Sequence, residues 1–208
     1  ARTREILAAE GWAPDTASIL VEEFLPGFEV ALEVLLTEGG LQVLALFDKP
    51  DPLDGPFFEE TIYVTPSRLP EETQAAIAET TARGAAALGL RQGPIHAELR
   101  INERGPWIIE MAGRSIGGLC STVLEFGTGY KLEDLILLQA VGEPIPDPDM
   151  AASALGVMMI PIPASGILRR VDGVEEACKV PGITGVEITA RLNHPIAALP
   201  EGASYLGF

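Results

Sequence analysis

The run IHAELRINERGPWIIEMAGR, residues 95–114, constrains the fold more than any other segment. Ile95, Ala97, Leu99 and Ile101 are apolar, while His96, Glu98, Arg100 and Asn102 between them are polar. A period of two places these sets on opposite faces of a strand. Glu103-Arg104-Gly105 is rich in loop formers and turns the chain back, so the segment reads as a hairpin. A three-residue loop centred on Arg104 would set Glu98 opposite Glu110, His96 opposite Ala112 and Leu99 opposite Ile109. Trp107, Ile109 and Met111 would then join the apolar face. Directly opposed side chains have Cβ atoms about 4.5–5.5 Å apart, so Glu98 and Glu110 would repel each other unless something offsets their charge. A hard divalent cation does this well, because it takes one or two carboxylates together with substrate phosphates. A solvated pair of acids on an exposed face fits the same pattern.

Arg114 follows Glu110 by four residues and leads into Ser115-Ile116-Gly117-Gly118. A cation beside a glycine-rich turn suits an anion. A helix-entry turn with a surface arginine is the plainer reading. Two other residues stand out. Lys49 sits where an apolar run gives way to the Pro/Gly/Asp-rich loop 49–58, either near a substrate phosphate or carboxylate or as a surface lysine on a long loop. His96 shares the polar face with Glu98, where it either helps place a substrate or is held by structural hydrogen bonds.

The remaining pattern gives an α+β chain. A helix is expected over residues 3–11, ending at Gly11, and a short strand over 18–24. Strands over 28–37 and 41–48 flank the turn Glu38-Gly39-Gly40, and another covers 62–65. Pro70 opens a helix to Ala87, with Glu71 and Glu72 in its favourable first turn, and Gly89 ends it. The hairpin strands cover 94–101 and 106–112, a glycine-punctuated loop with a short helix covers 113–130, and a helix covers 132–141. EPIPDPD at 143–149 reads as a linker, which divides the chain into a domain over 1–148 and a small β-rich module over 149–208.

Composition narrows the function classes. The 208 residues carry a net charge of −16, the wrong sign for a protein that neutralises nucleic-acid phosphates. The longest apolar stretch, at 151–164, is interrupted by prolines and shorter than the ~20 residues a membrane span needs. Cys120 and Cys178 are far apart and match no disulfide framework or zinc spacing, which fits a reducing cytoplasm. The chain begins at Ala1 inside helix-like sequence, as a piece of a longer protein would.

Glu98 and Glu110 twelve residues apart, with Arg114 four further on, resemble the ATP-grasp superfamily. The segment Glu22-Glu23-Phe24-Leu25-Pro26-Gly27-Phe28-Glu29 resembles the hinge of its nucleotide site. The resemblance covers residues 15–145 and implies the C-terminal lobe of an ATP-grasp domain: an antiparallel sheet with flanking helices. It also implies ATP and Mg²⁺ (or Mn²⁺), with Glu98 and Glu110 as metal ligands and Arg114 steadying the transferring phosphoryl group. The backbone of Glu22, Glu23, Phe24 and Leu25 would read adenine and Glu29 the ribose hydroxyls. IEMAGRSIGG and the tail GVMMIPIPASGILRRV are most similar to the L-amino-acid ligase branch. That likeness implies a carboxylate–amine ligase working through an acyl phosphate, with Ser115, Gly117, Gly118 and His96 toward the substrate and Lys49 near the reacting groups. Small-molecule carboxylates and amines would be its partners, with a homodimer left open.

Two departures qualify the resemblance. Ala112 stands where many ATP-grasp enzymes have a further asparagine ligand, and no glycine-rich, lysine-containing strand pair precedes Glu22. The second implies a fragment lacking the phosphate lid and N-terminal domain. It keeps open a non-catalytic binding or dimerisation module. A carboxylase or carbamoyl-phosphate-type enzyme is the third alternative, against which Ser115-Ile116-Gly117-Gly118 argues, since carboxylases carry proton-handling side chains there.

Overall fold

The computed structural model describes residues 2–9, 11, 12, 18, 20–55, 58–126, 129–146, 154–199, 202 and 204–208. In chain order the elements are α1 (Arg2–Ala9), β1 (Phe28–Thr37), β2 (Gly40–Asp48), β3 (Ile62–Thr65), α2 (Glu71–Ala87), β4 (Gly93–Asn102) and β5 (Gly105–Ala112). A 3-10 turn (Cys120–Val123), β6 (Glu125–Phe126), β7 (Tyr130–Lys131) and α3 (Leu132–Val141) follow. The rest comprises β8 (Leu155–Met158), β9 (Gly166–Ile167), α4 (Val174–Ala177) and β10 (Pro195–Ile196). The architecture is α+β, as the alternation predicts, and no helix is long and apolar enough to cross a membrane among the described residues.

A six-stranded antiparallel sheet in the order β5-β4-β1-β2-β3-β8 organises the molecule. β1 lies inside it, so both of its faces are covered. Val30, Leu32, Val34 and Leu36 pack with Ile95, Ala97 and Leu99 against Ile77 and Ala85 of α2. Ala31 and Leu35 point the other way, into a core closed by Cys120, Leu124, Phe126, Leu132, Leu135 and Val157. Glu29 and Glu33 share that second face by the same period of two. β8 lies beyond the 143–149 run yet pairs with β3, so the sheet draws on chain from both sides of that run. The 143–146 part has no regular structure, and 147–149 lie outside the described residues.

Two expectations need correcting. Residues 18 and 20–26 form no strand. The two strands that flank β1 occupy both of its edges, leaving no ladder for this segment, and Leu20 and Val21 are largely exposed. The hairpin register also differs in detail. Asn102 pairs with Gly105, so the turn has two residues rather than three. A bulge between Glu98 and Leu99 then restores the expected pairing of Glu98 with Glu110 and His96 with Ala112. Between turn and bulge the strand is shifted by one, so Leu99 faces Ile108, not Ile109. Ile108 and Met111 pack toward α2, whereas Trp107 and Ile109 are exposed. Arg104 covers the Trp107 ring at 4.7 Å.

Gly27 joins the irregular segment to β1 at φ +142°, a conformation side chains rarely adopt. A Cβ there would collide with the backbone carbonyl of Ile101. Gly27→Ala is expected to cost about 1–3 kcal/mol, seen as a melting temperature lower by roughly 2–4 °C per kcal/mol for a chain of this size. An unchanged melting curve would contradict this account of the junction.

Candidate active site

The β1–β4 register decides which polar groups meet. Glu29 lies opposite Arg100, Ala31 opposite Glu98 and Glu33 opposite His96. All the charged side chains in these pairs lie on the face turned away from α2. Lys49, immediately after β2, reaches this face and is 2% exposed, so the surface-lysine reading does not hold. Its ammonium donates to Glu29 Oε1 at 2.9 Å, to Glu98 Oε1 at 2.8 Å and to Glu60. The Tyr63 ring lies 4.9 Å from the same nitrogen, and the Tyr63 hydroxyl donates to Glu98 Oε1 at 3.3 Å.

A second chain of contacts runs beside it. Glu33 Oε1 holds His96 Nδ1, and Glu33 Oε2 accepts the Ile116 N–H at 2.9 Å. His96 Nε2 faces Glu98 Oε1 at 3.3 Å. Both ring nitrogens of His96 therefore face protein carboxylates, and Glu33 ties this pair to the 115–118 turn. Arg100 donates from Nε to Glu29 Oε2 at 2.8 Å, from Nη1 to the Leu25 carbonyl at 2.9 Å, and from Nη2 to the Leu53 carbonyl. Among the described residues, no buried side-chain nitrogen or oxygen lacks a hydrogen-bond partner.

The electrostatics follow from this pairing. Burial opposes ionisation of Glu98, but hydrogen bonding from His96 and the Lys49 ammonium outweigh it and hold its carboxyl well below the usual range. Burial also works against the charge on Lys49, but Glu98, Glu60 and Glu29 hold it above the ordinary lysine value. His96 is pushed up to about 9, because its bonds to Glu33 and Glu98 overcome burial. Burial raises Glu33 and Glu60. It pushes the Cys120 thiol up to about 12, which leaves that side chain a packing element and not a nucleophile.

Two cavities adjoin these groups. One of about 330 Å³ is lined by Glu22, Glu23, Phe24, Leu25, Glu29, Phe58 and Arg100, along with Glu60 and Glu98. The other, about 550 Å³, is lined by His96, Glu98, Glu110, Arg114, Ser115, Gly117 and Gly118, with Glu60, Tyr63, Met159 and Tyr205. The residues singled out in the sequence thus fall into two adjoining groups, with Lys49 between Glu29 and Glu98. Glu110 and Arg114 are both more than half exposed, 3.7 Å apart. The Arg114 guanidinium also donates to the Ser115 carbonyl at 3.0 Å.

Glu33, Glu60, Tyr63 and Arg100 were not picked out from the sequence. Glu29 and Glu33, four apart in an apolar strand, carried a readable signal, because period two puts them on one face. Arg100 was legible as a member of the polar face, but its partners were not. Glu60 has no local signature, since it meets Lys49 only in the folded structure.

Residues 4–123 match the ATP-grasp domain. The chain belongs to the ATP-grasp family. This ATP-grasp chain is similar to carnosine synthase 1 of Gallus gallus, 34% identical over 108 residues, covering 52% of this chain and 11% of that protein. It is similar to alanine–anticapsin ligase of Bacillus subtilis (strain 168), 30% identical over 114 residues, covering 49% of this chain and 24% of that one. Among solved structures, L-amino acid ligase from Bacillus licheniformis superposes with a TM-score of 0.75 at 32% identity, covering 88% of this chain and 46% of that chain. The ATP-grasp chain spans less than half the length of each of these three relatives.

Two measurements test the electrostatics of this ATP-grasp site. Lys49→Met would strand three carboxylates around an apolar side chain. Removing one partner of a buried ion pair costs about 3–5 kcal/mol, which urea unfolding at pH 7 would read directly. The second is the pH profile of stability. His96 has a folded value of about 9 against an ordinary 6.5, so its contribution is complete below pH 6.5 and lost as pH rises through 9. Stability is expected to fall by on the order of 2–3 kcal/mol over that window, and a profile flat from pH 6.5 to 9 would contradict the pairing.

Proposed function

We propose that the protein to which this chain belongs is an ATP- and Mg²⁺-dependent carboxylate–amine ligase acting on amino acids. The observation that carries this is the meeting of Glu98, Glu110, Arg114 and the Ser115–Gly118 turn on one cavity, adjoining a second cavity walled by residues 22–25 and Glu29. Similarity to an L-amino acid ligase and an alanine–anticapsin ligase supports the same class.

The donor set suits Mg²⁺. Glu98 and Glu110 offer hard oxygen donors from paired positions on adjacent strands, both facing the same cavity. The ion is not needed to relieve a bare repulsion, because Lys49 and His96 already offset Glu98, and Arg114 lies near Glu110. When bound, Mg²⁺ would screen the charge of the nucleotide phosphates.

The chain's own residues supply positioning and charge. The hinge backbone of Glu22 to Leu25 meets the adenine edge and Glu29 the ribose hydroxyls. The substrate carboxylate attacks the γ-phosphorus, the bond from γ-phosphorus to its bridging oxygen breaks, and ADP leaves with that oxygen. Arg114 steadies the charge spread over the transferring group. The amine then attacks the acyl phosphate carbon, an amide forms and inorganic phosphate departs. Ser115, Gly117 and Gly118 receive a substrate carboxylate beside Arg114, while Glu60 offers an anionic partner for an ammonium group. Lys49 and His96 keep Glu98 ionised and aimed, which makes them supports for the site.

ADP release by the full protein over pairs of amino acids tests the reading. Turnover should need Mg²⁺, ATP and two amino acids together. Arg114→Met is expected to lower kcat by about 10³-fold, and Glu110→Gln should abolish ligation. Near-normal turnover in Glu110→Gln would remove the metal assignment, and ADP release that depends on bicarbonate alone would replace the ligase with a carboxylase.

A further inference from the structure

Arg100 is 4% exposed and lies on the floor of the smaller cavity. Its cross-strand partner Glu29 accounts for one donor. The other two recorded bonds go to main-chain carbonyls of Leu25 and Leu53, residues outside any helix or strand. Segments without ladder partners need another means of satisfying and fixing their backbone, and here one guanidinium does so for both. Above it, Phe24 and Phe58 stack on each other with ring centroids 6.1 Å apart. The guanidinium carbon lies 5.0 Å from the Phe24 ring and 5.6 Å from the Phe58 ring. Both rings are about half exposed and border the cavity.

We propose that Arg100 is a positioning residue for the nucleotide, locking the 22–26 hinge, the backbone at Leu53 and the Glu29 carboxylate into a single wall of the base and ribose pocket. This rests on the reading of that pocket as a nucleotide site. The chemistry requires arginine. Its planar fork reaches three acceptors in fixed directions while its face accepts aromatic rings, whereas a lysine ammonium is a compact charge with neither property. Because Lys49 opens the same loop that Arg100 holds at Leu53, the clasp also links the nucleotide wall to the cation among the three acids. Nucleotide affinity therefore depends on Arg100, although the guanidinium spends its donors on the protein.

The test uses Arg100→Lys, which keeps the charge beside Glu29, and Phe58→Ala, which removes only a half-exposed ring. Mg·ATP binding is measured by calorimetry on the full protein, with KM values for ATP and for each amino acid and a melting curve for each variant. Arg100→Lys is expected to raise the KM and Kd for ATP about 10-fold with amino-acid KM values within 2-fold. Phe58→Ala should raise the KM for ATP about 3-fold. A purely structural arginine would lower the melting temperature and the active fraction while leaving every KM unchanged, and that result overturns the proposal. Unaltered ATP affinity in a folded Arg100→Lys protein overturns it as well. If the parent protein binds no Mg·ATP, the nucleotide reading falls and this inference with it. If the parent binds and Phe58→Ala, which leaves the three Arg100 hydrogen bonds in place, binds equally well, the inference alone falls.

Discussion

A single buried ammonium organises the charged half of this sheet. Lys49 donates to Glu29, Glu98 and Glu60, which come from β1, β4 and the segment before β3. Three carboxylate oxygens lying within 4.8 Å of one another cannot share a low-dielectric site without a cation among them. Bringing the strands together therefore requires Lys49 to come with them, and Glu60 joins the same ammonium. The ion cluster and the sheet register are parts of one constraint, since sliding β4 against β1 by one residue would turn Glu98 and Arg100 into the core against α2.

The partners on either side of the ammonium show how such charge is tolerated. Glu29 shares its two oxygens between Lys49 and Arg100, and Glu98 gathers contacts from Lys49, His96 and Tyr63 on one oxygen. Glu33 carries the network to the Ile116 N–H and so to the turn beside Arg114. The two cavities are thus braced by one continuous set of hydrogen bonds, while the groups most free to meet ligands, Glu110 and Arg114, remain at its exposed rim.

What was legible in the sequence had a local cause. The bounds of β1 and α3 followed from alternation, a glycine turn and the left-handed Gly142 that ends the helix. The opposition of Glu98 and Glu110 followed from period two, although the route to it combined a shorter turn with a bulge, two one-residue shifts of opposite sense. What was missed depended on distant neighbours. The apolar 18–24 run looks like a strand until both edges of β1 are seen to be taken. The burial of Lys49 follows from acids twenty and forty-nine positions away. Arg100 reads as one more polar residue because two of its three partners are backbone carbonyls, which have no sequence signature.

The pairing of β3 with β8 bears on how the polypeptide can be divided. β3 has only four residues, and Ile62 to Thr65 pair one for one with Met158 to Leu155. Val157 and Met159 complete the same core as Phe47 and Tyr63. A chain cut at the proline-rich run would leave β3 as a bare edge, with hydrogen-bonding groups and apolar surface open to another copy. The apparent linker is thus a poor place to separate two products, and the residues after it act as a seal on the sheet. Folding must also wait for them, because the last ladder closes across about ninety residues of intervening chain.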